Sequence, residues 1–261
     1  MTIARVSRRV GNTKAAHGDR RLPRSESCHS VRRRLLAWLE GHGRSFAWRR
    51  PSASLYRLVV TEALLQRTRA ETVNNFYAPF FRRFPSWQAL AQVSEAELQD
   101  YLRPIGLWKR RSASLRSLAI EMAKRRGRFP SAREEIEALP GVGQYVANAV
   151  LLFAHGRSEP LLDANVARVL ERHFGPRRLA DIRYDPYLQK LARMVVSSER
   201  PAKVNWALLD LAALICRIRA PLCQECPLSA TCHDYTRRRN NADDVTEAKC
   251  GRRTASITRA V

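Results

Sequence analysis

The sequence predicts an all-α fold, and three observations carry that prediction. Apolar residues recur at three- and four-residue spacing along most of the 261-residue chain, the period of an amphipathic helix. Proline and glycine punctuate that pattern at Pro85, Pro104-Ile105-Gly106, Gly127, Pro130, Gly156, Pro160, Gly175 and Pro201, where helices are expected to stop and start. No run alternates apolar and polar residues as a half-buried strand would, and no segment repeats.

Taken in order, residues 1–27 are basic, contain Gly, Ser and Pro, and show no period, which predicts a disordered arm. Val31 to Leu39 carries helical spacing, and a loop with Phe46, Trp48, Arg49 and Arg50 follows. Tyr56 to Thr68 predicts a strong helix, with Leu58, Val59, Leu64 and Leu65 apolar and Glu62 set among them. Further helices are expected over 71–83, 94–102, 109–126, 131–138, 144–155, 163–173, 186–197 and 203–216. After Cys232 the chain turns polar, through Arg239-Asn240-Asn241-Ala242-Asp243-Asp244, and residues 236–261 read as a disordered tail. The length suits one or two compact domains.

Charge narrows the function. Lys and Arg number 47 against 24 Asp and Glu, a net charge of +23. A surplus of that size makes sense when a polyanion neutralises it. Residues 1–50 hold 13 basic and 3 acidic residues, so part of the charge belongs to an arm that would bind nucleic acid without reading its sequence. Anionic lipid and acidic proteins are the competing partners. No apolar run approaches the ~20 residues of a membrane span, and the first thirty residues lack the apolar core of a secretory signal. A transit peptide is the other reading of the arm. The expected location is the cytoplasm, in association with the nucleoid, and the expected state is a monomer.

Four of the six cysteines, Cys216, Cys223, Cys226 and Cys232, follow a Cys-x6-Cys-x2-Cys-x5-Cys pattern. Without a secretion signal a disulfide framework is not expected. Four thiolates this close suit a tetrahedral metal or a cubane cluster. The spacing differs from the two Cys-x2-Cys pairs of a zinc ribbon. Arg217 and Arg219 lie between the first two cysteines, where they could meet phosphates. Cys28 and Cys250 stand alone, in segments expected to be mobile.

Two further features could carry chemistry. In Leu139-Pro140-Gly141-Val142-Gly143 the glycines allow a tight turn and close approach to another surface. The N–H groups of that turn and of the helix starting near Gln144 would form an anion site for a DNA phosphate. The bland reading is an ordinary helix connector. Asp163, after Pro160 and before an apolar-periodic segment, is a favoured N-cap; Glu62 could sit on a solvated face. Together two carboxylates could divide glycosidic cleavage, one stabilising a sugar cation or activating water and the other assisting departure of the base.

In this order, Val60-Thr61-Glu62-Ala63-Leu64-Leu65-Gln66-Arg67-Thr68, the 139–143 turn, the Asp163 segment and the cysteine cluster resemble the helix-hairpin-helix glycosylase superfamily of endonuclease III and MutY. The resemblance spans about residues 30–235. It implies a two-lobed fold: a central helical barrel over 55–158 carrying the hairpin, and a [4Fe-4S] cluster lobe built from 28–54 and 159–235. Double-stranded DNA with a mismatched or damaged base would lie in the cleft between them. Asp163 would stabilise oxocarbenium character at C1′, and Cys216, Cys223, Cys226 and Cys232 would hold the cluster. Gln66 and Arg67 would fill the gap left by a flipped base, and Trp48 or Tyr145 would line its pocket.

Departures set the expected subfamily. Tyr145 stands where lyase-competent members carry a Schiff-base lysine, and a phenol cannot form that imine. A monofunctional enzyme using water is expected. Leu162-Asp163-Ala164-Asn165, Ile105-Gly106-Leu107 with Arg110, and the 29 residues after Cys232 look more like MIG-type thymine-DNA glycosylases than MutY. The expected substrate is thymine or uracil opposite guanine. Adenine removal opposite guanine or 8-oxoguanine, and an idle lesion-binding protein, are the alternatives.

Overall fold

The computed structural model describes residues 21–50 and 52–241, and among them every regular element is helical. The remainder of the expected arm and tail, with Cys250, lies outside the described residues. Helix α1 spans Ser25–His42 and buries Cys28, Val31, Leu35 and Trp38, a stripe at helical period. It starts earlier than the sequence suggests. Leu22 also packs against the core, so the segment just before residue 28 is ordered, and burial of Cys28 raises its thiol pKa.

Helix α2 spans Leu55–Leu65 and is capped by Ser54, whose hydroxyl accepts from Arg57 N–H. It ends three residues before the expected Thr68, where the chain turns through a left-handed Arg67. Helices α3 (Ala70–Arg83), α4 (Trp87–Gln92), α5 (Glu95–Leu102) and α6 (Trp108–Lys124) follow. Helix α4 was not expected. Ser86 caps it and only Trp87 and Leu90 are buried, too few residues to display a period. Helices α7 (Arg133–Glu137) and α8 (Gln144–His155) flank the glycine turn, and α9 (Ala164–Phe174), α10 (Pro186–Val196) and α11 (Pro201–Leu214) complete the series. Residues 233–241 are helical as well, and Arg237 and Arg238 pair with Asp234. The expected loose tail is therefore helical over 236–241.

Burial divides into two apolar clusters. One runs from Phe46 to Leu151 and gathers α2 to α8. The other joins α1 to α9, α10 and α11 and reaches Leu228. Ala149, Leu152 and Leu161 form a small third group. Phe46 and Trp48 belong to the first cluster, although the sequence assigns them to the segment running with α1. Their rings stack at 4.5 Å, and Trp48 meets Tyr77 of α3. Each such side chain contributes about 1.5–3 kcal/mol by leaving water, which outweighs chain proximity to α1.

The two groups of helices are tied by one buried carboxylate. Asp210 of α11 is fully buried. Its oxygens accept from Arg44 N–H and Nε at 2.8 Å and from Arg49 Nη1 and Nη2 at 2.7 and 3.0 Å.

Candidate active site

A cleft of ≈ 970 Å³ is lined by residues from both groups of helices. Of the residues singled out in the sequence it gathers Glu62, Gln66, Arg67, Gly141, Gly143, Tyr145 and Asp163, with Trp48 beside them. Arg44, Arg49, Arg69, Arg110 and Arg183 also line it, together with Glu71 and Asp181, and this surplus of cations suits an anionic polymer.

Glu62 projects from α2 and is only 2 % exposed. Tyr145, one residue into α8, donates its hydroxyl to Glu62 Oε2 at 3.1 Å. Burial pushes the Glu62 carboxyl up to about 7, against the lowering by the Tyr145 hydrogen bond and the Arg49 charge, with Asp163 adding to the rise. Burial also holds the Tyr145 phenol well above its ordinary value, helped by the charges of Glu62 and Asp163, so it remains a donor.

A carboxylate raised from 4.5 to about 7 favours its protonated form in the fold. Its contribution is then fully present below about pH 4.5 and is lost as pH rises through 7. The shift corresponds to about 3 kcal/mol. Glu62→Gln should therefore raise the Tm at pH 8 and leave it nearly unchanged near pH 4. Equal Tm changes at both pH values would contradict the assignment.

Asp163 is half-buried and does cap α9. Its Oδ1 accepts from the N–H groups of Asn165 at 2.9 Å and Val166 at 2.7 Å, and its Oδ2 from Asn165 Nδ2 at 2.8 Å. The cap reading and the cleft reading are compatible, because capping fixes the rotamer of a carboxylate that lines the cleft. Asn165 in turn accepts from Arg168, which also donates to the carbonyls of Cys216 and Ala212. The sequence marks Asn165 only as part of the Leu162-Asp163-Ala164-Asn165 segment, and Arg168 not at all.

The two hairpin glycines do different work. Gly141 has φ +72°, and a Cβ there would lie 2.8 Å from Ser114 Cβ. Gly143 has φ −96° as the residue preceding α8, and a Cβ there would meet nothing within 4 Å. Gly141→Ala should thus destabilise by about 1–3 kcal/mol through strain. Gly143→Ala should leave the Tm in place and weaken duplex binding, measured by fluorescence anisotropy. The expectation for Val142 needs correction. Its side chain is buried and its N–H donates to Leu139 carbonyl at 3.1 Å, so it has no group to offer a phosphate.

The cysteine cluster lies elsewhere. Cys216, Cys223, Cys226 and Cys232 line one small cavity with Arg172, Tyr235 and Arg238. Arg172 Nη1 approaches Cys216 Sγ and Arg238 Nη2 approaches Cys223 Sγ, each at 3.4 Å. These cations suit anionic sulfurs. Burial, with the neighbouring cysteines, pushes the bare Cys226 thiol up to about 11. Among the described residues no three His, Cys, Asp or Glu close on one point as a single ion requires. Four thiols ringing a common cavity are a donor set of the kind that holds a metal centre. Arg217 and Arg219 are exposed near the cysteines and do not line the cleft. Arg217 Nε is engaged by the Leu214 carbonyl.

The helical hairpin, the cationic cleft and the paired carboxylates define a class of DNA-repair protein. The chain belongs to the HhH-GPD superfamily of base excision DNA repair proteins, whose sequence model matches residues 60–185. The thymine-DNA glycosylase of Aeropyrum pernix is 39% identical over 211 residues, 79% of this chain and 94% of that protein. The thymine/uracil-DNA glycosylase of Pyrobaculum aerophilum is 34% identical over 83% of this chain and 96% of its own. A solved thermostable thymine-DNA glycosylase superposes with a TM-score of 0.74 at 30% identity, covering 81% of this chain and 98% of that one. The family resemblance and the all-α fold read from the sequence are borne out.

Proposed function

We propose that this protein is a monofunctional DNA glycosylase of base-excision repair. It hydrolyses the N-glycosidic bond of thymine or uracil mispaired with guanine and leaves an abasic site. The observation that carries this reading is the convergence of Asp163 and the Glu62–Tyr145 pair in one cationic cleft. Its likeness to thymine- and uracil-directed relatives over most of their length supports the choice of base.

A G·T or G·U pair opens more cheaply than a matched pair, which favours flipping of its pyrimidine. The flipped base enters beside Trp48 and Tyr145. As the C1′–N1 bond breaks, its electron pair leaves with the pyrimidine, and Asp163 stabilises the positive charge growing on the sugar. Water adds to C1′ and gives up a proton, which Glu62 in its carboxylate form accepts. The pyrimidine anion takes up one proton in exchange. Tyr145 orients Glu62 and, having no amine, forms no imine with the sugar.

Gly141, Gly143 and the N-terminus of α8 form the phosphate grip, Gly141 by making the turn and Gly143 by leaving its face open. Gln66 and Arg67 occupy the space vacated by the base. The two apolar clusters support a barrel and a second lobe near the expected boundaries, with Phe46 and Trp48 transferred to the barrel. Cys216, Cys223, Cys226 and Cys232 would hold a [4Fe-4S] cluster, a covalent cross-link that fixes the loop bearing Arg217 and Arg219 for contact with phosphate. No described helix is long and apolar enough to cross a membrane, and the protein is read as a nucleoid-associated monomer of the cytoplasm.

Incubated with a G·U duplex, the protein is expected to release free uracil and leave the strand intact until alkali is added. Nicking without alkali, or an adduct trapped by borohydride, would contradict the water-based mechanism.

A further inference from the structure

Arg111 of α6 is 7 % exposed, and every oxygen its guanidinium meets is neutral. Nη2 donates to the carbonyls of Leu64 and Gln66 at 3.3 and 2.8 Å and to Thr68 Oγ1 at 2.9 Å. Nη1 donates to the carbonyls of Ile105 and Gly106 at 3.1 and 2.5 Å. A buried cation without a counter-ion is costly unless dipoles replace its hydration. Here the carbonyls at the C-terminal end of α2 supply them, the end that attracts positive charge.

The Ile105 and Gly106 carbonyls belong to a second turn, before α6, and Thr68 Oγ1 also donates to the Ile105 carbonyl at 3.3 Å. Each turn contains a non-glycine residue in the left-handed region, Arg67 at φ 59° and Leu107 at φ 52°. Such residues cost free energy and persist where the surroundings over-determine them. Each turn also presents side chains outward. Gln66 and Arg67 are exposed and line the cleft, and Leu107 is 50 % exposed, unusual for so large an apolar group.

We propose that Arg111 is a positioning residue for opening the duplex. It locks the Gln66–Arg67 turn and the Gly106–Leu107 turn into one rigid edge that enters the space left by the flipped base. The inference rests on the glycosylase reading and assigns Arg111 no contact with the reacting atoms. Its effect should appear where a base pair must be opened and vanish where the target is already unpaired.

The test compares wild type with Arg111→Lys and Arg111→Met on uracil in a G·U duplex and on uracil in an unpaired bubble. Lysine keeps the buried charge, but its three donors radiate from one point and cannot span both turns. A displaced edge should slow duplex release by about 10- to 100-fold while release from the bubble changes little. Equal losses on both substrates, or an unchanged duplex rate, would overturn the proposal. A 2-aminopurine beside the mispair gives a readout independent of cleavage. It should brighten with wild type and stay dim with Arg111→Lys, and equal brightening or none with either protein would also overturn it. Absence of uracil release by wild type on both substrates would instead count against the glycosylase reading, and the fluorescence would still decide the role of Arg111.

Discussion

Asp163→Asn is expected to lower the single-turnover rate of base release by about 10²–10⁴-fold while leaving the fold and duplex affinity in place. Asparagine caps a helix about as well as aspartate, and its carbonyl oxygen can accept from the N–H groups of Asn165 and Val166, as Asp163 Oδ1 does. The substitution therefore removes the charge and keeps the backbone cap, at the loss of the one hydrogen bond from Asn165 Nδ2 to Oδ2. A neutral amide cannot stabilise the cation that develops on the sugar. Rapid-quench assays at saturating protein, with anisotropy and melting controls, separate chemistry from binding and folding. Equal measurable rates for the two proteins would mean that Asp163 is only a cap and that the charge on the sugar is met elsewhere, whereas no release by either would mean that the chain binds DNA without acting on it.

The largest stability effect is expected at Asp210. Asp210→Asn should destabilise the protein by about 3–5 kcal/mol, a Tm fall on the order of 10 °C. The buried carboxylate meets two guanidinium groups and a backbone N–H, so a neutral side chain leaves two cations short of their partner. Arg44 could lean on Glu71, which it already meets at 3.0 Å, but Glu71 is exposed, and a surface pair contributes little. Arg49 has no such substitute in its ion pairs. Because Arg49 also lowers the Glu62 pKa, loss of Asp210 should disturb activity through its pH profile as well. A melt within a degree of wild type would show that the Asp210 ion pairs are not what holds the two halves together.

The long helices were legible because their apolar faces repeat over three turns or more, as in α1 and α9. Helix α4 was not, since six residues with two buried positions give no period. The site was legible where a residue type is costly in its surroundings. Glu62 stood out within an apolar helix, and Asp163 stood where a cap and a cleft residue coincide. The same signal marks Asp210, the single charge in Ala207-Leu208-Leu209-Asp210-Leu211-Ala212-Ala213, and it went unread. Arg111 carried no signal, because Lys109-Arg110-Arg111 looks like any solvated cationic run. Only the two turns that fold onto α6 reveal what the third of these cations does. Val142 failed for a related reason: a turn motif identifies the backbone path but not which N–H groups the turn itself consumes.

The most direct test of the account is single-turnover release on matched duplexes carrying G·T, G·U, A·G and A·8-oxoguanine, developed with alkali. The account predicts release of thymine and uracil opposite guanine and none of adenine. Adenine release with silence on both pyrimidines would contradict it and place the cleft among adenine-removing enzymes.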